Sequence, residues 1–243
     1  MSIFRKKKKQ EALATEIGLI DENSPFAIRE AYKTLYTNIV YIGVDDKCKK
    51  LVVTSAVPSE AKSTVSTNLA YTIASNSENK KVLLIDADMR APKVNRLFGI
   101  DENERGLSEY LAGVDEKPNF IYLEDKKMTV LAAGGKSVNP TQLLSSSVMG
   151  QLFAECEKNF DYIIIDTPPI NIVTDALLFN NFVNGYIIST LSEYSETKSV
   201  SECLSRLNNV GAEIIGFVFS GVKLKNYGGK YRYAKHYKRY TGE

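Results

Sequence analysis

Short runs of apolar residues recur along the chain and end in small or acidic residues. The three most distinct are LVVTSA (51–56), KVLLIDAD (81–88) and DYIIIDTPP (161–169). An unbroken apolar run, in contrast to an alternating one, is typical of a strand buried on both faces of a sheet. Residues 184–190 and 213–220 are predicted as two more strands. The pattern therefore predicts at least five strands, with the unbroken runs in the interior of the protein.

Helical segments separate these strands. Ser24 and Pro25 are typical of an N-cap and a first helical position, and they predict a helix over residues 24–42. Apolar residues four apart predict a second helix over 63–75, and a third is predicted near 195–209. Strand–helix–strand alternation predicts an α/β fold, in which a mostly parallel β-sheet is flanked by helices on both faces. In such a sheet the ligand binds at the carboxyl ends of the strands, where the acids lie.

Composition indicates one globular domain with two basic ends. The 243 residues are 44% hydrophobic and 25% charged, and no apolar run approaches the roughly 20 residues that span a bilayer. Residues 1–10 carry a charge of +5 and residues 223–243 carry +6, so with a net charge of +2 the remainder carries −9. We predict a basic flexible arm at 1–23, one domain at 24–222 and a basic tyrosine-rich tail at 223–243.

The charge distribution and the cysteines argue against several functions. Nucleic-acid-binding domains carry positive charge across a folded face, so no nucleic-acid partner is expected here. The basic ends are expected to contact a membrane surface, a partner or the acidic body itself. The N-terminus lacks the apolar stretch of a signal peptide, and three widely spaced cysteines predict neither a disulfide framework nor a zinc site. We expect a soluble protein of a reducing compartment.

A phosphate-binding loop is indicated where the first strand meets the second helix. Residues 56–64 are AVPSEAKST, a turn followed by a lysine and by hydroxyl residues that begin a helix. In such a loop Lys62 would reach the β- and γ-phosphates and Ser63 would ligate Mg²⁺. Ala56 and Ala61 replace the two glycines of the usual pattern. The loop alone therefore leaves a plain strand–helix connection open.

Three aspartates stand at the ends of two other predicted strands, Asp86 and Asp88 after one and Asp166 after the other. A strand-end aspartate often caps the following turn, which is a sufficient explanation for one such residue. Three of them, together with a loop lysine, indicate a nucleotide site instead. The reason is that Mg²⁺ binds carboxylates beside phosphates, and phosphoryl transfer requires a base near the nucleophile.

Three segments resemble the Walker A, Walker A′ and Walker B motifs of the bacterial tyrosine kinases of capsule and exopolysaccharide synthesis (BY-kinases). They are residues 55–64, VLLIDADMR (82–90) and YIIIDTPP (162–169). The chain is also similar to this family at Ser24-Pro25, Glu30 to Leu35, Asn139-Pro140, Leu143-Leu144 and Thr174 to Ala176. The resemblance covers nearly the whole chain.

The resemblance implies an ATP- and Mg²⁺-dependent protein-tyrosine autokinase with a P-loop NTPase fold. By this resemblance, Asp86 would accept the proton of the substrate tyrosine, and Arg90 would anchor the acidic cluster. The implied magnesium ligands are Ser63, Asp88 and Asp166. The implied catalytic residues are Asp86, Lys62, Asp88 and Arg90, and the implied nucleotide-binding residues are Pro58, Ser59, Glu60, Ala61, Lys62, Ser63, Thr64 and Asp166.

The resemblance also assigns a role to the tail and implies partners. The expected autophosphorylation sites are Tyr227, Tyr231, Tyr233, Tyr237 and Tyr240, although such a tail is also compatible with a solvated basic segment or with base stacking. Relatives of this length are the cytosolic half of a two-protein system. We therefore expect a transmembrane activator of the polysaccharide co-polymerase type, a homo-oligomer, tail phosphorylation within or between subunits and a cognate tyrosine phosphatase. The expected location is the cytoplasm, with recruitment to the inner face of the membrane.

The sequence departs from the family in two places. The family usually has glycine where Ala61 stands, and a left-handed conformation there would cost alanine roughly 1–2 kcal/mol. The family's E-x-x-R-x-x-R pattern is represented by Glu30, Lys33 and Tyr36, which weakens the expectation of a ring-shaped oligomer. Two other hypotheses remain. One is a ParA/MinD-like ATPase, which would carry a lysine where Val57 stands, and the other is a nucleotide-binding scaffold without catalysis.

Overall fold

The structure, a computed structural model, describes residues 18–42, 46–137 and 139–222. These residues contain seven strands, β1 (Lys49–Ser55), β2 (Val82–Asp86), β3 (Phe120–Leu123), β4 (Met128–Leu131), β5 (Tyr162–Asp166), β6 (Gly185–Leu191) and β7 (Ile214–Ser220). They form one sheet in the order β3-β4-β2-β5-β1-β6-β7. Neighbouring strands are parallel except β3 and β4, which are antiparallel. The strand that precedes the predicted phosphate loop, β1, therefore lies between β5 and β6.

Helices cover both faces of this sheet. They are α1 (Phe26–Val40), α2 (Lys62–Asn76), α3 (Val94–Phe98), α4 (Leu107–Leu111), α5 (Pro140–Leu144), α6 (Ser147–Asn159), α7 (Thr197–Asn209) and a 3₁₀ helix (Asp175–Phe179). The predicted fold class, a mostly parallel sheet flanked by helices on both faces, is confirmed. None of the helices in the described ranges is both long enough and apolar enough to cross a membrane.

Two apolar cores form because successive residues of each strand point to opposite faces. On one face, Leu51 and Val53 of β1 belong to a core with Ile39 of α1 and Leu69 of α2. On the other face, Val52 belongs to a second core, which also contains Phe153 and Leu207 of α6 and α7. Every residue of β2 and β5 is buried, as their unbroken apolar runs predicted, and every residue of β6 is buried as well. The buried strands therefore fix the positions of the loops at the carboxyl edge of the sheet.

The start of α1 differs from the prediction. The helix begins at Phe26, Pro25 is its N-cap residue, and no side chain caps it. The hydroxyl of Ser24 donates to Asp21 Oδ1 at 2.7 Å instead, so the prediction that Ser24 caps the helix is wrong. The preceding segment is fastened to α2, since the Ile20 N–H donates to Asn68 Oδ1 at 2.6 Å. The fixed φ of proline sets the start of α1, while Ser24 stabilises the turn before it.

A hairpin and a long helix were missing from the prediction, as were the four short helices α3, α4, α5 and the 3₁₀ helix. The hairpin pairs β3 with β4 across a short turn in which Lys127 has a φ of 55°. The helix is α6, whose buried residues Met149, Leu152, Phe153 and Cys156 have regular helical spacing. Both signals are present in the sequence, the first as two four-residue runs around a polar turn and the second as an i, i+3, i+4, i+7 pattern.

All three cysteines of the sequence lie among the described residues, and each is buried as a free thiol. Cys48 and Cys156 belong to the core that contains α6, and Cys203 belongs to the same core from α7. Burial raises the pKa of Cys48 to about 11 and the pKa values of Cys156 and Cys203 to about 12. These residues therefore act as small apolar side chains.

Candidate active site

The predicted phosphate loop connects the end of β1 to the start of α2, at the carboxyl edge of the sheet. Two of its non-glycine residues have left-handed backbones, Ser59 with a φ of 66° and Ala61 with a φ of 63°. Ala61 is the N-cap residue of α2, and no side chain caps this helix. Because the first N–H groups of a helix have no partner within the helix, the α2 N-terminus is suited to bind phosphate oxygens.

Lys62, the first residue of α2, is buried and paired. Its ammonium group lies 2.7 Å from Asp88 Oδ2 and 3.5 Å from the Ser63 hydroxyl. Burial disfavours the ammonium ion, but the negative charges of Asp166 and Asp88 outweigh this effect and raise the pKa of Lys62. Lys62 is therefore a fixed positive charge at the loop.

Asp86 and Asp166 lie side by side because they are register partners at the ends of β2 and β5. Asp86 Oδ1 accepts the Asp88 N–H at 3.0 Å, and Asp86 Oδ2 accepts the Val94 N–H at 3.1 Å. Burial, together with the neighbouring charge of Asp166, raises the pKa of Asp86 to about 7. A carboxyl group of this kind can accept a proton near neutral pH.

Asp166 fits a metal-binding role. Both of its carboxylate oxygens are buried, and neither makes a hydrogen bond of good geometry within the described residues. Burial raises the pKa of Asp166, although the Lys62 charge and the nearby Ser63 and Ser66 hydroxyls oppose the rise. Unpartnered buried polar atoms are rare, and carboxylate and hydroxyl oxygens are the ligands that Mg²⁺ prefers. Asp166 could therefore contribute oxygens to Mg²⁺. The other two residues predicted to bind the metal, Ser63 and Asp88, also carry such oxygens, although the Asp88 carboxylate accepts from Lys62 and from the Ala91 N–H in this structure.

Arg90 lies at the border of this cluster and is held by residues that the prediction did not assign to the site. Its Nε and Nη2 donate to the two carboxylate oxygens of Asp175 at 2.7 and 3.1 Å. Arg90 Nη2 also donates to the Thr141 hydroxyl at 2.9 Å, and that hydroxyl donates to Asp175 Oδ1 at 2.7 Å. This network joins the segment after β2 to α5 and to the 3₁₀ helix. Asp175 lies in a segment similar to the family and Thr141 lies between two such segments, but no sequence pattern pairs either residue with Arg90.

The remaining predicted site residues fall into two groups. Some make hydrogen bonds within the protein, and others lie outside the described residues. The Thr64 carbonyl accepts the Asn68 side-chain amide at 2.9 Å, one turn along α2. The carboxylate of Glu60 is buried and bonded within the protein, so its backbone is the part that remains for a nucleotide. The carbonyl of Pro58 accepts the hydroxyl of Tyr194 at 3.1 Å. The five predicted phosphorylation sites, from Tyr227 to Tyr240, lie outside the described residues.

A mostly parallel sheet with a lysine-bearing loop at the N-terminus of a helix, facing strand-end aspartates, defines a P-loop nucleotide-binding protein. A family model described as an AAA domain matches residues 59–215. The chain is 36% identical to the tyrosine-protein kinase YwqD of Bacillus subtilis, over 82% of this chain and 83% of that protein. The chain belongs to the bacterial tyrosine-protein kinases.

Two further comparisons agree with this family. The kinase domain of the Escherichia coli tyrosine kinase ETK has a similar structure, with a TM-score of 0.77 and 32% identity, over 85% of this chain and 82% of that domain. The chain is also 30% identical to a putative tyrosine-protein kinase in the cps region of Klebsiella pneumoniae, over 92% of this chain but 31% of that longer protein. These matches do not favour the hypothesis of a ParA/MinD-like ATPase.

Proposed function

We propose that this chain is an ATP-dependent protein-tyrosine autokinase that phosphorylates its own tyrosine-rich tail. The observation that carries the proposal is the juxtaposition of two groups at one sheet edge. One is the buried Lys62–Asp88 ion pair, and the other is Asp86, a carboxyl group whose pKa is raised to about 7. Asp88 joins them directly, because its N–H donates to Asp86 while its carboxylate binds Lys62.

Each residue has a defined task in this proposal. Lys62 and the N–H groups at the start of α2 bind the phosphate oxygens of ATP. The tyrosine hydroxyl attacks the γ-phosphorus, its proton passes to a carboxylate oxygen of Asp86, and ADP leaves with the electrons of the broken bond. Ser63, Asp88 and Asp166 would hold Mg²⁺, which would neutralise charge on the phosphates. Arg90 fixes the segment that carries Asp88 through its bidentate bonds to Asp175.

The proposal extends to regulation and location. The names of relatives from capsule regions support a role in capsule or exopolysaccharide synthesis and export. By analogy with the family, the kinase is cytoplasmic and reaches the inner face of the membrane through a transmembrane activator. Assembly into a homo-oligomer, and reversal by a tyrosine phosphatase, belong to the same proposal. The basic ends at 1–10 and 223–243 supply the charge for contacts with acidic surfaces.

Replacement of the loop lysine tests the proposal. Lys62→Met should abolish tail phosphorylation, because the β- and γ-phosphates lose their main side-chain partner. Purified protein is incubated with ATP and Mg²⁺, with and without the cytoplasmic segment of the activator, and phosphotyrosine is detected by immunoblot. Lys158→Met is the matched control, since Lys158 lies on the exposed surface of α6 and pairs only with Glu155 among the described residues. Undiminished phosphotyrosine in Lys62→Met would place the active site elsewhere.

A further inference from the structure

Glu60 occupies an unusual place in the phosphate loop. It lies between Ser59 and Ala61, two non-glycine residues with left-handed backbones. Its side chain is fully buried, although acidic side chains are rarely buried without a cationic partner. Among the ion pairs that the described residues form, none involves Glu60. The buried carboxylate must therefore be stabilised by hydrogen bonds.

Two hydrogen bonds supply this stabilisation. The Val57 N–H donates to Glu60 Oε2 at 2.9 Å, which closes the loop on itself. The hydroxyl of Ser195 donates to Glu60 Oε1 from the segment between β6 and α7. Ser195 is itself fixed, because its hydroxyl oxygen accepts the Leu191 N–H at 2.8 Å. The carboxylate thus connects the phosphate loop to the end of β6.

Side chains from this part of the chain also donate hydrogen bonds to backbone carbonyls of the phosphate loop. The Ser189 hydroxyl, at the end of β6, donates to the Glu60 carbonyl. The Tyr194 hydroxyl donates to the Pro58 carbonyl at 3.1 Å. Three side chains of residues 189–195 therefore bind two residues of the loop, Pro58 and Glu60. A left-handed conformation is unfavourable for residues other than glycine, so such contacts oppose relaxation of the loop.

We propose that Glu60 and Ser195 are positioning residues, which hold the phosphate loop in the left-handed path required for nucleotide binding. They substitute for the conformational freedom that glycine gives the usual loop, because neither Ser59 nor Ala61 adopts this path without support. The inference deepens the nucleotide-binding part of the proposed function and rests on it.

The test is the affinity of the full-length protein for ADP in the presence of Mg²⁺, measured by calorimetry. Ser195→Ala should weaken binding about tenfold, as expected when a hydrogen bond to a charged group is lost. Ser195→Thr keeps the hydroxyl and should restore most of the affinity. Ser205→Ala is the matched control, because the Ser205 hydroxyl donates to a carbonyl on the exposed part of α7. Glu60→Gln removes the charge and leaves only one of the two acceptor oxygens, so it should also weaken binding and gives an independent measurement if Ser195→Ala fails to fold.

A double-mutant cycle separates positioning from general stability. In an Ala61→Gly background the loss caused by Ser195→Ala should shrink from about tenfold to about threefold, because glycine adopts the left-handed conformation unaided while Ser59 still needs the support. Unchanged affinity in Ser195→Ala, or an equal loss in both backgrounds, would overturn the proposed role. Wild-type protein that binds no ADP would overturn the proposed function together with this role. The wild-type affinity alone therefore distinguishes the two failures.

Discussion

Ala61 shows how one methyl group can be unfavourable in a loop. Its φ of 63° and ψ of 17° lie in the left-handed region, as its position at the second glycine of the loop pattern predicted. A left-handed alanine costs roughly 1–2 kcal/mol, so this conformation lowers the stability of the folded protein.

Ala61→Gly should therefore raise the free energy of unfolding by about 1 kcal/mol. Chemical denaturation of the nucleotide-free protein measures this change. Ala70→Gly is the control, since Ala70 is buried in the interior of α2, where glycine should lower stability by at least about 1 kcal/mol. Opposite signs for the two substitutions are expected. A loss of stability in Ala61→Gly would mean that the loop tolerates alanine without strain.

Protonation of Asp86 should set the lowest pH at which the kinase is active. Its pKa is raised to about 7, so the carboxyl group is protonated below that pH and cannot accept the tyrosine proton. The rate of phosphotransfer should fall as the pH decreases below about 7, and the limit should move to lower pH as Mg²⁺ increases, because a nearby cation lowers a carboxyl pKa.

Asp86→Asn should remove most of the activity and this pH limit, while ADP affinity stays within a few-fold of wild type. Rates between pH 5.5 and 8.5, with calorimetry for binding, provide the measurement. A collapse of affinity in Asp86→Asn would instead identify Asp86 as a metal ligand.

Among the individual residues of the site, several were predictable from the sequence. Lys62, Asp86, Asp88 and Asp166 each follow a strand or begin a helix, so parallel topology alone brings them to one edge. The buried bonding of Glu60 was not predictable, because its partner Ser195 comes from a distant segment whose position depends on the complete sheet.

Among the elements, α1 is attached to the domain at its C-terminal end and near its middle. Its carbonyl groups at Ile39 and Val40 accept the ammonium group of Lys49, a buried residue of β1. The Tyr32 hydroxyl reaches toward the Thr64 carbonyl at 3.5 Å, and burial raises the pKa of Tyr32 above its usual value. The helix that resembles the family's oligomerisation helix therefore packs on the first turn of α2, which carries the phosphate loop lysine.

Ile39→Ala should destabilise the domain by about 2–4 kcal/mol, because Ile39 is 0% exposed and its removal leaves a cavity between α1 and the sheet. Denaturant unfolding gives the change in midpoint. Ile172→Ala, at a position that is 60% exposed, should change stability by less than about 0.5 kcal/mol. An unchanged transition in Ile39→Ala would mean that α1 unfolds separately from the sheet.

Strands with unbroken apolar runs were predictable, and the short edge strand β3 was not. β2 and β5 are buried throughout, so every residue contributes to the signal. β3 is a four-residue edge strand with alternating exposure, and Phe120 and Tyr122 face solvent. Its pairing depends on β4, which a local pattern does not specify.

On the scale of the whole molecule, charge is distributed unevenly. The tail at 223–243 carries +6, while the residues between the two basic ends carry −9. Fully extended, the tail reaches about 70 Å at ~3.3–3.6 Å per residue, which is enough for its own site or a neighbour's. Four phosphotyrosines, each adding about −1.5 to −2 charges, would bring the tail to roughly zero or below.

We expect this charge reversal to weaken docking of the tail and any oligomer that docking supports. Sedimentation of the unphosphorylated and fully phosphorylated protein, at low and moderate salt, measures the mass of each form. A chain with all five tail tyrosines changed to phenylalanine is the control, since ATP should leave its mass unchanged. The same mass for both wild-type forms at every salt concentration would contradict the expectation.

The strand order is a property of the whole molecule that the sequence pattern did not provide. Alternating strands and helices predicted a parallel sheet, but the runs are too alike to indicate that β1 lies between β5 and β6. In that order both apolar cores are filled, and residues of β1 contribute to each of them. Long-range packing, unlike local propensity, is decided only when the complete chain is present.

The burial of Cys48, Cys156 and Cys203 has a practical consequence. Thiol-reactive dyes require a thiolate, and the raised pKa values of these thiols, from about 11 to about 12, keep them protonated at neutral pH. The three native cysteines therefore need not be replaced before a new cysteine is introduced for site-specific labelling. One cysteine introduced on the surface of α7 and one in the tail would carry a fluorophore pair, whose energy transfer follows the tail during turnover.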